Sequence, residues 1–411
     1  MLDVEFVRSQ YPVFQRPESA AWAFFENAGG SYVPEPVVDR LETFFRWYKV
    51  QPYGPFESSI VAGEAMDAGY QCITELLNAD DDEVTIGPST SLNCYVLAQA
   101  FRPHLKPGDE VVVTNQDHEA NIGCWERLSD TGAVIRRWQV DPVTGELSVD
   151  ELEKLVNQRT RIVCFSLCSN IVGTFQNARA VADMARHAGA VVVADGVSYA
   201  PHRIVDVKQL GADVYVLSTY KTFGTHLGVM WIKREVQQRI TCQGHYFNRD
   251  RPRYRMNPAG PLHAEVAALA GIGEYYDRLY RYHFAEAGLS RIRRAQCVFG
   301  LFAEHETILA NQLLDVLRSL PGVRIIGQQR ASQDHRAPTI SFVCERMQSG
   351  ELARRLAERK IAVRSGHFYA LRCLEAIGID PEDGVLRVSM IHYNTHEEVE
   401  RLATCLRELL A

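Results

Sequence analysis

The sequence lacks long apolar runs and any excess of basic residues. No stretch of the 411 residues approaches the roughly 18 consecutive apolar residues of a membrane-spanning helix. The formal net charge of −7 argues against a nucleic-acid-binding protein, which typically presents a basic face. The first residues carry acids early and have no basic region ahead of an apolar core, so we expect no secretory signal. We therefore predict a cytoplasmic protein that has neither a membrane nor a nucleic acid as partner.

Paired cysteine motifs are also missing. The ten cysteines are scattered along the chain, and none of them forms a CxxC pair. This distribution fits free thiols in a reducing compartment and not a disulfide framework. We interpret Cys164 and Cys168 as buried thiols on an apolar stretch, and we predict no metal site. No GxGxxG follows the first strand, which disfavours a nucleotide-dependent dehydrogenase.

The sequence does contain a regular alternation of apolar strands and amphipathic helices. Predicted strands lie at 84–86, 110–114, 133–139, 161–166 and 190–194, and the predicted helices between them lie at 92–101, 148–157 and 178–188. This alternation predicts an α/β fold with a mostly parallel sheet flanked by helices. From Leu262 the chain is strongly helical as far as Leu320. The strands and helices that follow, among them a strand at 361–365, predict a smaller α+β domain at the C-terminal end.

The stretch from Val191 to Lys233 brings an acid and a lysine to the ends of two predicted strands. Asp195 ends the first strand, and Lys221 follows the second, which ends near Ser218. Since the carboxyl ends of parallel strands meet at one rim of a sheet, both groups should lie where open α/β sheets bind ligands. A lysine there can form a Schiff base, and an aspartate can hold a protonated pyridinium nitrogen. A pyridoxal phosphate (PLP) enzyme needs these two protein groups most.

Other side chains are suited to complete a PLP site at this rim. Hydroxyl groups that could hold the phosphate lie at or near strand ends: Ser89, Thr90, Ser218 and Tyr220. Ser89 could instead only cap its helix. His118 could stack on a flat cofactor, act as an acid or base, or have a structural role alone. Arg387 is the best C-terminal candidate for a substrate carboxylate, because a guanidinium offers two parallel donors. The break at 27–30 is either a turn or a close approach of the backbone to a ligand.

The sequence resembles the class V aminotransferase family of fold-type I PLP enzymes, in particular its cysteine-desulfurase-like branch. The resemblance covers nearly the whole chain and is carried by FFENAGGSYVPEPV, DHEANIGCW, CSNIVGTFQN, ADGVSYAPHRIVDVKQLGADVYVLSTYKTFG, IAVRSGHFYA and LRVSMIHYNTHEEVERL. It implies PLP as the cofactor, a small amino acid as the substrate, and a homodimer whose active sites are shared at the subunit interface. With it we predict an N-terminal segment, 1–25, that packs on the small domain, a large PLP-binding domain, 26–262, and a small domain, 263–411.

The resemblance also implies a role for each candidate residue. Lys221 would be the Schiff-base lysine, Asp195 the partner of the pyridinium nitrogen and His118 the stacking residue. Further contacts to the cofactor would come from Ser89, Thr90, Asn170, Ser198, Ser218, Tyr220 and, through its backbone from the neighbouring subunit, Gly260. Contacts to the substrate would come from Asn27, Ala28, Gly29, Asn170, Arg364, Tyr369 and Arg387.

The chain departs from this family at the position that determines the reaction. In the segment corresponding to 364–369, desulfurases carry the cysteine that takes sulfur from the substrate as a persulfide, and this chain has Tyr369. We therefore rank β-elimination from a cysteine-type substrate first: Lys221 removes the Cα proton, the sulfur group leaves, and Tyr369 or Tyr220 could protonate it. Transamination or epimerisation at the same Cα ranks second, and desulfuration through Cys373 third. A partner protein without enzymatic activity ranks last.

Overall fold

The computed structural model describes residues 1–410, which form thirteen strands and sixteen α-helices. The strands are β1 (Ala23–Phe24), β2 (Val84–Gly87), β3 (Glu110–Thr114), β4 (Val134–Trp138), β5 (Thr160–Ser166), β6 (Val191–Asp195), β7 (Val214–Ser218), β8 (Gly228–Ile232), β9 (Val323–Ile325), β10 (Thr339–Cys344), β11 (Ile361–Ala362), β12 (Arg364–Gly366) and β13 (Val385–Ser389).

The helices are α1 (Val4–Ser9), α2 (Pro17–Ala20), α3 (Glu35–Trp47), α4 (Glu57–Leu77), α5 (Thr90–Phe101), α6 (Gly123–Glu126), α7 (Val149–Leu155), α8 (Ala178–His187), α9 (Val207–Leu210), α10 (Arg234–Arg239), α11 (His263–Ala268), α12 (Ala270–His283), α13 (Arg291–Ser319), α14 (Ser349–Glu358), α15 (Leu371–Ala376) and α16 (His396–Leu410). Within residues 1–410, none of the helices combines the length and the apolar composition needed to cross a membrane.

A seven-stranded sheet lies at the centre of the fold, in the order β2-β8-β7-β6-β5-β3-β4. Its neighbouring strands run parallel, except that β8 is antiparallel to both β2 and β7. Successive residues of each strand face opposite sides, as the pleat requires. In β3, for example, Val112 packs into one core, and Val111 and Val113 pack into the core on the other face. The predicted α/β class, with its mostly parallel sheet between helices, is confirmed.

A second, four-stranded antiparallel sheet follows, in the order β12-β13-β10-β9. It packs with α14, α16 and the C-terminal half of α13 around a separate core that contains Leu313, Leu317 and Leu402. The N-terminal half of α13 instead contributes Val298 and Phe302 to the core of the large sheet. Because one helix belongs to both cores, a domain boundary at 262 stays a prediction.

Two predicted elements are divided in the structure. The helical region 262–320 consists of α11, α12 and α13, with non-helical backbone at 284–290. The predicted strand 361–365 is two short strands: β11 pairs in parallel with β1, and β12 pairs with β13. The second division brings the segment 364–369 beside Arg387, the register partner of Arg364.

Candidate active site

The carboxyl ends of β5, β6 and β7 meet at one rim of the large sheet. Asp195 ends β6, and its register partner on β5 is Ser166. Ser218 ends β7, and Lys221 follows in a short 3-10 turn, Thr219–Lys221. The strand ends therefore bring Asp195 and Lys221 together at the rim where the sequence predicts them.

Two adjoining cavities lie at this rim. The inner one, about 50 Å³ in volume, is lined by Thr90, Ser91, His118, Ala120, Ser166, Cys168, Asn170, Asp195, Val197, Ser198, Ser218, Tyr220 and Lys221. The outer one, about 500 Å³, is lined by Glu26, Ala28, Gly29, His118, Asn170, Tyr220, Lys221, the segment 364–369 and Arg387. Four residues line both cavities: His118, Asn170, Tyr220 and Lys221.

Lys221 is buried between the two cavities, with 7% of its surface exposed. Burial and the nearby guanidinium of Arg387 lower the pKa of Lys221 to about 8, although Asp195 acts in the opposite direction. An amine with this pKa is partly neutral near pH 7. It can therefore act as a nucleophile or as a base without a separate deprotonating group.

Two buried carboxyl groups lie near this rim of the large sheet. Asp195 accepts the backbone N–H of Val197 at 2.8 Å, and burial raises the pKa of Asp195 to about 6. Asp117 accepts hydrogen bonds from the hydroxyl of Thr114, the amide of Asn121 and the backbone N–H of Ser166. Burial raises the pKa of Asp117 to about 7 despite these bonds, and the charge of Asp195 contributes to the increase.

His118 lies on the wall shared by the two cavities. Its Nδ1 accepts the backbone N–H of Ala120 at 3.1 Å, so a neutral ring carries its proton on Nε2. Burial, followed by the charges of Lys221 and Arg387, lowers the pKa of His118 to about 4. The ring is therefore neutral at pH 7, which suits a stacking residue better than a proton donor. The ring of Tyr369 lies 5.0 Å from it, centre to centre, at the mouth of the outer cavity.

Asn170 connects the loop after β5 with the segment that contains Tyr369. Its Nδ2 donates to the backbone carbonyl of Phe368 at 2.9 Å, and the backbone carbonyl of Asn170 accepts from Nη1 of Arg387 at 3.2 Å. Its Oδ1 is buried and has no hydrogen-bond partner among residues 1–410. A buried acceptor without a donor is unfavourable unless a ligand supplies one, so this oxygen is a candidate ligand contact.

Arg387 is buried and tightly held at the floor of the outer cavity. Its Nη2 donates to Oε1 of Glu26 at 3.2 Å, and its guanidinium lies 3.8 Å from the centre of the Phe368 ring. Burial lowers the pKa of Arg387 to about 10, and Glu26 opposes that change. Arg364 lines the same cavity, but its side chain is 68% exposed.

The predicted phosphate-binding hydroxyls divide into two groups. The Thr90 hydroxyl donates to the carbonyl of Leu217 at 2.7 Å and lies 2.8 Å from the Ser218 hydroxyl, on the inner cavity. Ser89 caps α5 by accepting the N–H of Leu92 and does not line the cavity. Ser91, which follows directly in the same run of hydroxyl residues, lines the inner cavity but is not among the predicted contacts.

Two further predicted contacts lie outside the cavities of this single chain. Gly260 is exposed, with nothing within 4 Å of the position of a Cβ, and its contact with a neighbouring subunit stays a prediction. The Asn27 amide is buried; it donates to the carbonyl of Ser389 and accepts from the hydroxyl of Tyr393. Asn27 thereby positions the neighbouring Ala28 and Gly29, which line the outer cavity.

The cysteines of the chain do not supply an exposed thiol at the mouth of the site. All ten are free thiols. Cys373 lies in α15 with none of its surface exposed, and burial raises its pKa to about 12. Cys168 lines the inner cavity, but burial also raises its pKa to about 12. Both thiols are therefore protonated at pH 7 and are weak nucleophiles.

The residues around the inner cavity fit PLP. The lining contains a lysine of lowered pKa, a buried carboxyl group, a neutral imidazole and several hydroxyl groups. The unpartnered Oδ1 of Asn170 leaves an acceptor for a donor on the ligand. This combination of groups is what a PLP-dependent enzyme requires.

Comparison with known families agrees with this class. The family described as "Aminotransferase class-V" matches residues 23–402. The chain therefore belongs to the class V aminotransferase family, and it is a PLP-dependent enzyme.

Three curated sequences are similar over nearly the whole of this chain. "Aminotransferase-like protein FGM3" of Gibberella zeae is 33% identical, over 99% of this chain and 98% of that protein. "Cysteine desulfurase-like protein ustD" of Aspergillus flavus is 32% identical, over 100% of this chain and 91% of that protein. The cysteine desulfurase of Synechococcus elongatus is 31% identical, over 99% of this chain and 64% of that protein.

Solved structures of cysteine desulfurases share the fold. The desulfurase CsdA from Escherichia coli superposes with a TM-score of 0.83 at 26% identity, over 100% of both chains. The apo cysteine desulfurase from Thermococcus onnurineus NA1 superposes with a TM-score of 0.86 at 24% identity, over 100% of this chain and 98% of that chain.

Proposed function

We propose that this enzyme cleaves the C–S bond of a cysteine-type amino acid by β-elimination. The observation that carries the proposal is Tyr369 at the mouth of the outer cavity, beside His118, in a site where both nearby thiols are buried and protonated. Elimination needs a base at Cα and a proton for the leaving sulfur, but it needs no protein thiol. It converts an S-substituted cysteine and water into a thiol, pyruvate and ammonia.

Arg387 and Lys221 perform the first steps in this proposal. The Arg387 guanidinium binds the substrate carboxylate, which fixes Cα near the Lys221 amine. PLP, when bound, draws negative charge away from Cα as the proton leaves. Lys221 takes that proton, and the pKa of about 8 suits this task near neutral pH.

The remaining residues hold the cofactor and the leaving group. Asp195 binds the ring nitrogen, His118 covers the ring face, and Thr90 and Ser218 bind the phosphate. The phenol of Tyr369 donates a proton to the departing sulfur, since its ring lies at the cavity mouth, where the substrate side chain extends. The free thiols support a reducing cytoplasm as the location, and the exposed Gly260 supports a homodimer with shared sites.

A substrate panel on the purified holoenzyme tests the proposal. Cysteine, cysteine sulfinate, S-methylcysteine and alanine are incubated separately, and sulfide or thiol, pyruvate, ammonia and racemisation are assayed together. We expect thiol, pyruvate and ammonia in equal amounts from S-methylcysteine. Racemised or transaminated product without release of the sulfur group would overturn the proposal.

Three variants assign the roles. Lys221→Ala should lose activity by at least about 10²–10⁴-fold together with the visible cofactor absorption, whereas Lys154→Ala, at the surface, should retain both. Tyr369→Phe should slow release of a poor leaving group more than that of a good one. Cys373→Ser should change nothing, and sulfide that stays on the wild-type protein but not on Cys373→Ser would indicate a desulfurase instead.

A further inference from the structure

The carboxylate of Glu26 contacts the guanidinium of Arg387, the group that we propose binds the substrate carboxylate. Its Oε1 lies 3.2 Å from Nη2 of Arg387 and 3.8 Å from Nη1 of Arg364. The side chains of Glu26 and Arg387 are 12% and 3% exposed, whereas that of Arg364 is 68% exposed. Arg387 is therefore already paired with a buried carboxylate before a substrate arrives.

The fold holds Glu26 in this place. Glu26 forms a parallel bridge with Ser389 at the end of β13, two residues beyond Arg387, and the Ser389 N–H donates to the carbonyl of Phe25 at 2.7 Å. Gly29 leaves the space that the carboxylate occupies, because a Cβ on Gly29 would lie 2.4 Å from Oε1 of Glu26. The pairing of Glu26 with Arg387 is thus built into the backbone arrangement.

The other sides of the Arg387 guanidinium are largely occupied, except that its buried Nε has no hydrogen-bond partner among residues 1–410. Nη1 donates to the carbonyl of Asn170, and the ring of Phe368 covers one face. A substrate carboxylate that binds Nε and Nη2 together as a bidentate pair therefore takes the position of the Glu26 carboxylate. Two carboxylates on one buried guanidinium would leave a negative charge without a partner, which is unfavourable.

Arg364 provides a second partner for the displaced carboxylate. Burial raises the pKa of Glu26, and Arg387 and Arg364 oppose that change. With Glu26 ionised, these three side chains carry a net charge of +1, which a substrate carboxylate would bring to zero. Arg364 is long, exposed and already within 3.8 Å of Glu26, so a small rotation of either side chain would join them. Each guanidinium would then hold one carboxylate.

We propose that substrate binding is a carboxylate exchange, in which the substrate takes the place of Glu26 on Arg387 and Glu26 turns to Arg364. The inference rests on the proposed role of Arg387 in binding the substrate carboxylate. It makes Glu26 a specificity-determining residue: in the free enzyme it keeps a buried cation paired, and it makes every incoming carboxylate compete for that cation. It makes Arg364 a positioning residue that acts on the substrate through Glu26.

A matched pair of ligands isolates the exchange. L-2-Aminobutyrate has a carboxylate and no leaving group at Cβ, and n-propylamine has the same carbon chain and amine without the carboxylate. The holoenzyme is titrated with each ligand, and the change in the visible absorption of the cofactor gives two dissociation constants. Their ratio reports on carboxylate recognition alone.

The variants Glu26→Gln, Arg364→Gln and the double variant give the expected pattern. Glu26→Gln should bind L-2-aminobutyrate about tenfold more tightly and n-propylamine unchanged, because the competing charge is gone. Arg364→Gln should bind L-2-aminobutyrate about tenfold more weakly, since Glu26 then has no second partner. The double variant should resemble Glu26→Gln, because it has no Glu26 carboxylate that needs Arg364 as a second partner.

Several results would overturn the exchange. The first is weaker or unchanged binding of L-2-aminobutyrate by Glu26→Gln, and the second is a full Arg364→Gln loss that persists in the double variant. If Glu26→Gln does not fold, Glu26→Asp replaces it, because this variant keeps the charge and shortens the reach to Arg387. The third result is that Glu26→Asp binds L-2-aminobutyrate no more tightly than wild type. No response of the wild-type holoenzyme to either ligand would overturn both this inference and the proposed function. A response to both ligands with an unchanged ratio in Glu26→Gln would overturn the exchange alone.

Discussion

The carboxyl group of Asp117 lies in the interior beside Asp195 and ionises with difficulty. The residue is 1% exposed, and its pKa is raised to about 7, mainly by burial. In an unfolded chain an aspartate has a pKa of about 3.9. Between these values the folded protein holds a proton that the unfolded chain has released, so this group makes folding less favourable as pH rises from about 4 to 7.

We therefore predict that Asp117→Asn reduces the pH dependence of stability in the cofactor-free protein. Between pH 4 and pH 8, the free energy of unfolding of the variant should improve relative to wild type by up to about 4 kcal/mol. Denaturant unfolding at several pH values measures this difference. Asp183→Asn, at an exposed position on α8, is the control and should show no such trend. Equal pH slopes for wild type and Asp117→Asn would contradict the prediction.

The sequence predicts those site residues whose positions follow from local strand patterns, and it does not predict those whose positions depend on tertiary packing. Lys221 and Asp195 could be predicted as neighbours, because apolar runs locate strand ends and parallel strand ends meet at one rim. Glu26 and Arg387 are 361 positions apart, and nothing in either local segment indicates that they pair. The sequence does not indicate Asp117, beside His118, as a site residue, because burial of a carboxylate depends on tertiary packing, which a local pattern does not contain.

At the scale of elements, Gly228 allows the first turn of α5 to approach the sheet. It begins β8, with Gly87 on one side and Ser218 on the other. A Cβ on Gly228 would lie 2.3 Å from the carbonyl carbon of Ser89 and from the backbone nitrogen of Thr90. Backbone atoms cannot rotate away as the tip of a side chain can, so a larger residue would move the helix terminus.

We predict that Gly228→Ala weakens PLP binding by about tenfold or more and lowers stability by about 1–3 kcal/mol. Its physical cause is the displacement of Thr90 from Ser218. PLP titration of the cofactor-free protein and thermal unfolding measure the two effects. Gly300→Ala, in the middle of α13 with nothing within 4 Å, should leave PLP affinity unchanged and stabilise the protein by up to about 1 kcal/mol. PLP affinity within about twofold of wild type would show that the helix terminus tolerates the methyl group.

The segment that carries Tyr369 is fixed by three elements. The N–H of Glu119 donates to the carbonyl of Tyr369 at 2.8 Å, and Asn170 holds Phe368. Arg372 pairs with the carboxylates of Glu119 and Glu126. Phe368 and Tyr369 have φ angles of 48° and 60°, a left-handed conformation that side chains other than glycine adopt at a cost. These contacts stabilise that conformation.

We predict that Arg372→Ala releases this segment without unfolding the protein. Hydrogen exchange at 366–371 should become faster, while the thermal midpoint falls by a few degrees at most, since partly exposed ion pairs contribute little. Turnover should fall in parallel, because Tyr369 leaves its position beside His118. Arg354→Ala removes exposed ion pairs on α14 and should affect neither measurement. Unchanged exchange at 366–371 would indicate that the other two contacts suffice.

At the scale of the whole molecule, the site predicted to be shared between subunits can be tested by mixing inactive chains. Lys221→Ala lacks the base, and Gly260→Asp would place a negative charge at the neighbour's phosphate. Gly260 has room for a side chain within its own subunit, so any loss in that variant arises across the interface.

We predict that each variant alone is inactive and that the mixture, unfolded and refolded together, regains activity. Random pairing makes about half of the dimers mixed, and each mixed dimer has one intact site, so about a quarter of wild-type activity should return. Light scattering of the same samples measures the mass of the assembly. An inactive mixture that contains mixed dimers would mean that each site is made by a single chain.

The pairing of β1 with β11 has a consequence for how the chain is made. Residues 23–24 find their strand partner at 361–362, near the opposite end of the sequence. The apolar run at 20–25 therefore leaves the ribosome long before the residues that cover it exist, and the ordinary N-terminal-first order of folding during synthesis cannot apply to it. During nearly all of translation, this run is an uncovered apolar segment to which chaperones could bind. The pairing of β1 with β11 can form only after residues 361–362 have been made.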